Sequence, residues 1–176
     1  STLDPQGGNY VQLTSFTAGG TFSFEIFLNL ENYDRKLRRI VHFTHSNTDI
    51  LAFMSEGGTT NGKALYKSVV ANYTTENSYF KSGMVHIVCT VTGTSLSIYK
   101  NGIFDFYEPN MTASQEMVRN THWLGSDPYF REVGGVIQER HFGGTIAYFR
   151  WWQGTTLSAS EVEFLYNTRE TKYTQN

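Results

Sequence analysis

Alternation of apolar and polar residues between Met84 and Tyr107 constrains the fold of this chain more than any other feature. A side-chain period of two is typical of β-strands, and the segment divides into three strands separated by two turns. Gly93 marks the first turn. Asn101-Gly102 marks the second, and this residue pair favours a tight type I′ hairpin because both positions tolerate a positive φ. The segment therefore predicts an antiparallel three-stranded meander.

Short strands separated by turn residues are also predicted along the rest of the chain. They cover residues 10–13, 21–30, 40–43, 50–54, 64–73, 122–125 and 146–152. A helix is predicted after them, because Ser158 and Glu161 match a capping box that precedes an apolar run. Strands at about ten-residue spacing with one late helix predict an all-β antiparallel sandwich, or jelly roll, with one short C-terminal helix.

Length and composition agree with a single domain over residues 1–176. Its core is predicted to lie within residues 7–166, and residues 167–176 form a polar tail. The net charge of -2 argues against nucleic-acid binding, and no apolar run is long enough to span a bilayer. The one cysteine, Cys89, lies on an alternating strand and is predicted to be a buried thiol.

Several short motifs follow one another in a recognisable order: a strand around His86, the Asn101-Gly102 hairpin, Leu124-Gly125-Ser126, Gly143-Gly144-Thr145-Ile146, and Leu157-Ser158 with Glu161, Leu165 and Tyr166. In this order they resemble the laminin-G-like, pentraxin-like branch of the concanavalin A-like lectin/glucanase jelly rolls. The resemblance extends over about residues 7–166. One departure is Met84, which stands where the family usually has a tryptophan.

The resemblance implies a non-catalytic, lectin-like module that binds a glycan or glycoprotein and belongs to a larger extracellular or surface protein. The alternative is a protein–protein adhesion or assembly domain that takes no small ligand. Relatives that hydrolyse β-glucans carry several carboxylates on one strand, where two of them perform catalysis. Here Glu25 stands alone on its predicted strand, so we expect no enzyme activity.

Calcium is the cofactor that the resemblance implies, and its absence is the alternative. Asp4 and Asn9, in the N-terminal segment, are the candidate ligands because calcium prefers several converging oxygens. Ala147 and Tyr148 replace an acidic pair that is often found in the final strand of the family. This replacement argues against the site.

Glycan recognition combines an apolar aromatic surface with a few polar groups. The turn-rich segment from Asp127 to Arg131 is the best candidate because it joins acid, aromatic and base. Trp151 is expected in the core, and its neighbour Trp152 toward solvent or under the terminal helix. The predicted ligand-binding residues are Asp127, Tyr129, Phe130, Arg131, Tyr79 and Trp152. For each aromatic residue, the alternative is ordinary packing in the core or against the helix.

Two further surface features bear on location and partners. Asn72 and Asn110 each begin a glycosylation acceptor pattern, which is compatible with an extracellular or surface location. The basic residues Arg35, Lys36, Arg38 and Arg39 are predicted to be a solvated loop, and an acidic partner is the alternative.

Overall fold

The computed structural model describes residues 10–31, 37–46, 48–58, 61–69, 71–81, 83–126, 132–133, 136–137 and 141–170. Helix α1 is Ala159–Asn167. The strands in chain order are β1 (Val11–Gln12), β2 (Thr17–Ala18), β3 (Phe22–Leu30), β4 (Arg39–Ser46), β5 (Asp49–Ser55), β6 (Lys63–Ser68), β7 (Ala71–Ser78), β8 (Val85–Thr92), β9 (Ser95–Lys100), β10 (Ile103–Glu108), β11 (Met117–Val118), β12 (Thr121–Leu124), β13 (Glu132–Val133), β14 (Val136–Ile137) and β15 (Gly144–Gln153).

Two large antiparallel sheets form the sandwich. The six-stranded sheet has the order β1-β12-β4-β5-β6-β7, and the five-stranded sheet has the order β10-β9-β8-β3-β15. Two short antiparallel pairs, β2 with β11 and β13 with β14, complete the described strands. The predicted fold class, an all-β jelly roll with one C-terminal helix, is confirmed.

The core lies between the facing sides of the two sheets. Phe24 of β3 and Phe53 of β5 are fully buried, and their ring centroids lie 5.8 Å apart across the sandwich. Trp151 stacks on Phe22 at 4.3 Å, which confirms its predicted place in the core. Cys89 is also buried as predicted, and burial raises the pKa of its thiol.

The predicted meander is confirmed as β8, β9 and β10, which pair in sequence. Asn101 and Gly102 have φ values of 51° and 79°, as a type I′ turn requires. The side chain of Asn101 accepts a hydrogen bond from the His86 amide at 3.0 Å. A Cβ atom on Gly102 would lie 3.0 Å from the Tyr166 side chain, so the turn is also a contact surface for α1.

The single strand predicted over residues 64–73 is wrong, because two strands occupy this part of the chain. β6 ends at Ser68 and β7 begins at Ala71, and the two pair as a hairpin. Val69 makes the turn with a φ of 56°. A β-branched residue seldom adopts this conformation, so the sequence carries no ordinary signal for the turn.

Helix α1 begins as its capping box predicts. The Ser158 hydroxyl accepts a hydrogen bond from the Glu161 amide, and the Glu161 carboxylate accepts one from the Ser158 amide at 2.7 Å. Val162 and Leu165 are buried, and the Tyr166 ring lies 5.7 Å from the His86 ring. The helix therefore covers the outer face of the five-stranded sheet.

Candidate functional site

The predicted binding loop, residues 127–131, lies outside the residues that the structure describes, so its role stays a prediction. Its two anchors are described. Gly125 follows β12 and its amide donates to the Ile40 carbonyl at 2.9 Å. On the return, the Phe142 amide donates to the Gly125 carbonyl at 2.9 Å, and Ser126 Oγ lies 3.0 Å from His141 Nδ1. The described residues before residue 127 and after residue 140 therefore meet at one end of β12, in the six-stranded sheet.

An aromatic pair lies beside these anchors. The rings of Tyr10 and Trp123 stack with centroids 4.3 Å apart and planes 17° from parallel. Leu124 points into the core, so Trp123 points to the outer face of the six-stranded sheet. Gln12 is its partner in β1, and Tyr10 shares the side of Gln12 because strand positions alternate. We call Tyr10 and Trp123 the aromatic platform; both side chains are half-buried.

Polar side chains share this outer face. Paired positions form a row across the sheet: Gln12, Trp123, His42, Ala52, Lys67 and Asn72. The middle of the row is buried at His42 and Ala52, whereas Gln12 and Asn72 at its ends are exposed. Lys67 is half-buried. The face therefore combines an aromatic surface with amide and ammonium groups.

Sequence reasoning missed the platform. Tyr10 and Trp123 are far apart in the chain, and each was assigned only to a short strand. Their contact depends on the pairing of β1 with β12, which no local pattern specifies. The only available signal was that both are aromatic residues on strands of alternating pattern.

The prediction that Tyr79 binds a ligand is wrong, because its ring is buried in the core, which was the alternative. The Tyr79 hydroxyl donates to Asp105 Oδ2 at 2.6 Å, and Lys100 Nζ lies 5.5 Å from the ring centroid. Burial raises the pKa of Tyr79, and the Asp105 carboxylate adds to this effect. Tyr79 thus connects the chain after β7 to β10 and offers no ring face to a ligand.

Trp152, another predicted ligand-binding residue, lies on the last strand, β15. It pairs with Ser23 and lies on the outer face of the five-stranded sheet, where it lines a groove with Leu157 and Phe164 of the helical segment. This position matches the expected place under the terminal helix. Tyr79 is buried in the core and Trp152 lies beside the helix, so these two described members of the predicted set do not meet.

Glu25, predicted to stand alone, is the centre of a buried polar cluster. His86 Nε2 lies 2.8 Å from its Oε1 atom, and both side chains are fully buried. The Tyr148 hydroxyl donates to the same oxygen at 3.0 Å, and Arg150 lies 3.6 Å from Oε2. A carboxylate enclosed in this way cannot reach a substrate, so Glu25 has a structural role.

The prediction of a solvated basic loop is wrong for the two members that the structure describes. Arg38 and Arg39 are only 6% and 7% exposed. Arg38 donates to the His141 carbonyl at 3.3 Å, and Arg39 contacts the Met54 sulfur. Both arginines therefore hold the fold together; Arg35 and Lys36 lie outside the described residues.

A calcium site needs several converging oxygen atoms, and the described residues contain no cluster of three acidic side chains that could supply them. No group of three or more His, Cys, Asp or Glu side chains in this part of the chain lies close enough to hold a metal ion. Asp49, at the start of β5, is bound by Arg119 at 3.1 Å. Asp4 and Asn9 lie outside the described residues, so their role as ligands stays a prediction.

Two facing antiparallel sheets and one C-terminal helix define a jelly-roll β-sandwich. The family model described as the concanavalin A-like lectin/glucanases superfamily, of laminin-G type, matches residues 5–163. The chain therefore belongs to this superfamily, as its motifs predicted. No curated protein sequence matches the chain significantly.

Solved structures share the fold at low sequence identity. Domain 4 of an extracellular GH43 arabinanase from Geobacillus stearothermophilus, in complex with arabinotriose, has a TM-score of 0.70 and 16% identity, covering 89% of this chain and 71% of that one. A CBM40 from a Ruminococcus gnavus sialidase, bound to α2,3-sialyllactose, has a TM-score of 0.66 and 11% identity. The match covers 90% of this chain and 95% of that one. A heptameric SAP-like pentraxin from Limulus polyphemus has a TM-score of 0.65 and 13% identity. The match covers 89% of this chain and 74% of that one.

Within the part of the chain that the structure describes, no helix is long and apolar enough to cross a membrane.

Proposed function

We propose that the protein is a non-catalytic carbohydrate-binding module and that the aromatic platform is the centre of its binding site. The observation that carries the proposal is the stacked pair of Tyr10 and Trp123, half-buried on the outer face of the six-stranded sheet. The two anchors of residues 127–131, Ser126 and His141, lie at the same end of β12.

The chemistry of this face suits a sugar. A pyranose or furanose ring has an apolar face that packs on an aromatic ring, and its hydroxyl groups need hydrogen-bond partners at the edge. The exposed amide of Gln12 lies next to Trp123 in the register and can supply such a partner. In this proposal Asp127, Tyr129, Phe130 and Arg131 add contacts from the loop.

The structural neighbours support a glycan as the ligand. Two of them were solved with arabinotriose and sialyllactose. Their identity to this chain is low and shows the fold alone, so they do not select a sugar. The arabinanase is extracellular by description, and we place this module outside the cell or on a surface as part of the proposal.

A glycan array with purified wild-type protein tests the proposal. We expect at least one oligosaccharide to bind, and Tyr10→Ala to weaken binding of that oligosaccharide by roughly tenfold, as loss of one stacking contact predicts. Trp123→Ala should have an equal or larger effect. Tyr107→Ala is the control, because Tyr107 is 54% exposed on β10 in the other sheet. Failure to bind any sugar would contradict the proposal.

A chelator arm of the same array tests calcium. If Asp4 and Asn9 hold an ion that contacts the sugar, chelation abolishes binding and added calcium restores it. If binding is unchanged, the sugar site works without a metal. Either result leaves the role of the aromatic platform measurable through Tyr10→Ala.

One observation favours a second candidate function, protein–protein adhesion. The edge strand β10 exposes Ile103 by 72%, Phe104 by 54% and Tyr107 by 54%. Apolar side chains clustered on a sheet edge can pair with another protein. Concentration-dependent association in analytical ultracentrifugation that Phe104→Glu removes would support this role, and a monomer at all concentrations would argue against self-assembly through β10.

A further inference from the structure

A groove of about 320 Å³ runs between β15 and helix α1, on the face opposite the aromatic platform. Trp152 and Leu157 form the wall on the strand side. Ser160, Glu161, Phe164 and Leu165 form the wall on the helix side. Positions three and four apart share one face of a helix, which is why these four side chains meet in one groove.

The helix wall of this groove exposes a large aromatic side chain. Val162 and Leu165 bury the helix against the sheet, but Phe164 is 65% exposed. Trp152 is half-buried opposite it. The groove therefore presents two aromatic rings, one from each wall, together with the aliphatic side chains of Leu157 and Leu165.

Glu161 is the one ionisable side chain among the residues that line the groove. Its Oε2 atom accepts hydrogen bonds from the Ser158 amide at 2.7 Å and the Ser158 hydroxyl at 2.9 Å. The backbone hydrogen bond, followed by that of the side chain, lowers the pKa of Glu161. The carboxylate is thus ionised at neutral pH, and within the described residues Oε1 takes part in no hydrogen bond.

We propose that this groove binds an alkylammonium group of the lysine type, presented by a peptide or protein partner. An aliphatic stem can pack on Leu157 and Leu165 while its charged head stays at the rim. The ammonium is attracted to the faces of Trp152 and Phe164 and to the Glu161 carboxylate. The full negative charge of Glu161 exceeds the partial positive charge of about one half at the helix N-terminus.

The polar groups of the groove favour a cation over a sugar. Among the described lining residues, the Glu161 carboxylate is the one charged group, and a charge beside aromatic rings favours a cation. A single charge beside two aromatic rings matches one ammonium group. Arg150, on the same strand as Trp152, is directed to Glu25 at 3.6 Å and is not among the residues that line the groove. The inference does not depend on the proposed glycan site.

Nuclear magnetic resonance titration with Nα-acetyl-lysine methylamide tests the proposal. We expect saturable shifts of the Trp152 indole N–H signal. Nα-acetyl-norleucine methylamide has a similar stem without the charge, and it should bind at least roughly threefold more weakly. Tyr10→Ala should leave these titrations unchanged because its ring lies on the other sheet.

Variants of two glutamates on α1 distinguish the effect of the Glu161 charge on binding from an effect of helix stability. Glu161→Gln removes the charge but keeps a side chain that forms a capping box, so the helix persists. It should weaken binding of the lysine probe by roughly threefold or more. Glu163→Gln is the matched control on an exposed position of the same helix and should have no effect. Absence of shifts, equal binding of norleucine, or an unchanged affinity in Glu161→Gln would overturn the proposal.

Discussion

The Nε2 atom of His86 lies 2.8 Å from the Oε1 atom of Glu25, and neither side chain has any exposed surface. The two residues belong to neighbouring strands of the five-stranded sheet. They lie on its outer face beneath helix α1, whose Tyr166 ring packs 5.7 Å from the His86 ring. A charged and polar cluster is therefore enclosed between a sheet and a helix, outside the main core.

Removal of Glu25 should destabilise the protein strongly. Glu25→Ala leaves His86 and the Tyr148 hydroxyl without their shared acceptor inside the fold. Breaking a buried pair of this kind costs about 3–5 kcal/mol in the free energy of unfolding, which urea denaturation measures. Glu163→Ala, at an exposed site on α1, should change it by less than about 0.5 kcal/mol. Similar losses in both variants would contradict the structural role of Glu25.

His122 should make stability depend on pH. Its ring is buried between Phe16 and Phe43, at centroid distances of 4.5 and 4.9 Å, and burial lowers the pKa of His122 below 6.5, with Arg119 adding to the effect. The folded state therefore resists protonation. The contribution of the neutral His122 ring to the free energy of unfolding is fully present above pH 6.5, where the unfolded histidine is also neutral. This contribution is lost as the pH falls from 6.5 toward the lowered pKa of the folded state.

Thermal unfolding between pH 8 and pH 5 measures this dependence. The melting temperature of the wild type should fall more steeply with acid than that of His122→Phe, which keeps an aromatic ring but cannot titrate. The difference between the two slopes isolates His122 from the other histidines. Parallel curves for the two proteins would show that His122 does not contribute.

The capping box of α1 gives a third prediction. Ser158→Ala removes the acceptor for the Glu161 amide and should lower the free energy of unfolding by about 1 kcal/mol. Ser158→Thr keeps the hydroxyl, so its free energy of unfolding should fall much less. Urea denaturation followed by helical circular dichroism compares the two. An equal loss in both variants would mean that the cap is not what stabilises this end of the helix.

Gly144 at the start of β15 gives a fourth prediction. A Cβ atom there would lie 2.0 Å from the Asn29 carbonyl oxygen, and the residue has a φ of 145°. Gly144→Ala must therefore displace the backbone where β15 pairs with β3. Gly154 has a φ of 74° with open space around it, so Gly154→Ala costs only the penalty of about 1–2 kcal/mol for that conformation. Gly144→Ala should be the more destabilised variant in thermal unfolding.

Local sequence patterns predicted the elements whose conformation depends on residues close together in the chain. The alternation and the Asn101-Gly102 turn specified the meander, and the spacing of Ser158 and Glu161 specified the start of the helix. The turn at Val69 was missed because it has a positive φ at a β-branched residue, where sequence preferences point the other way.

The candidate site could be predicted only in kind. An aromatic surface for a glycan is expected from the sequence, but Tyr79, one of the residues named for it, is buried in the core and its hydroxyl is bonded to Asp105. The aromatic platform depends on the pairing of β1 with β12, and the cluster around Glu25 depends on strands that meet only in the folded sheet. Contacts between distant segments arise from register, which a single sequence does not display.

The position of β3 has a consequence for how the chain folds. This strand lies between β8 and β15 in the five-stranded sheet, so one of its two neighbours comes from near the C-terminal end. The Leu157 amide donates to Ser23 Oγ over a separation of 134 residues. Contacts of such long range slow folding, because a large loop must close before they form. During synthesis, β3 can complete its pairing only after β15 has left the ribosome.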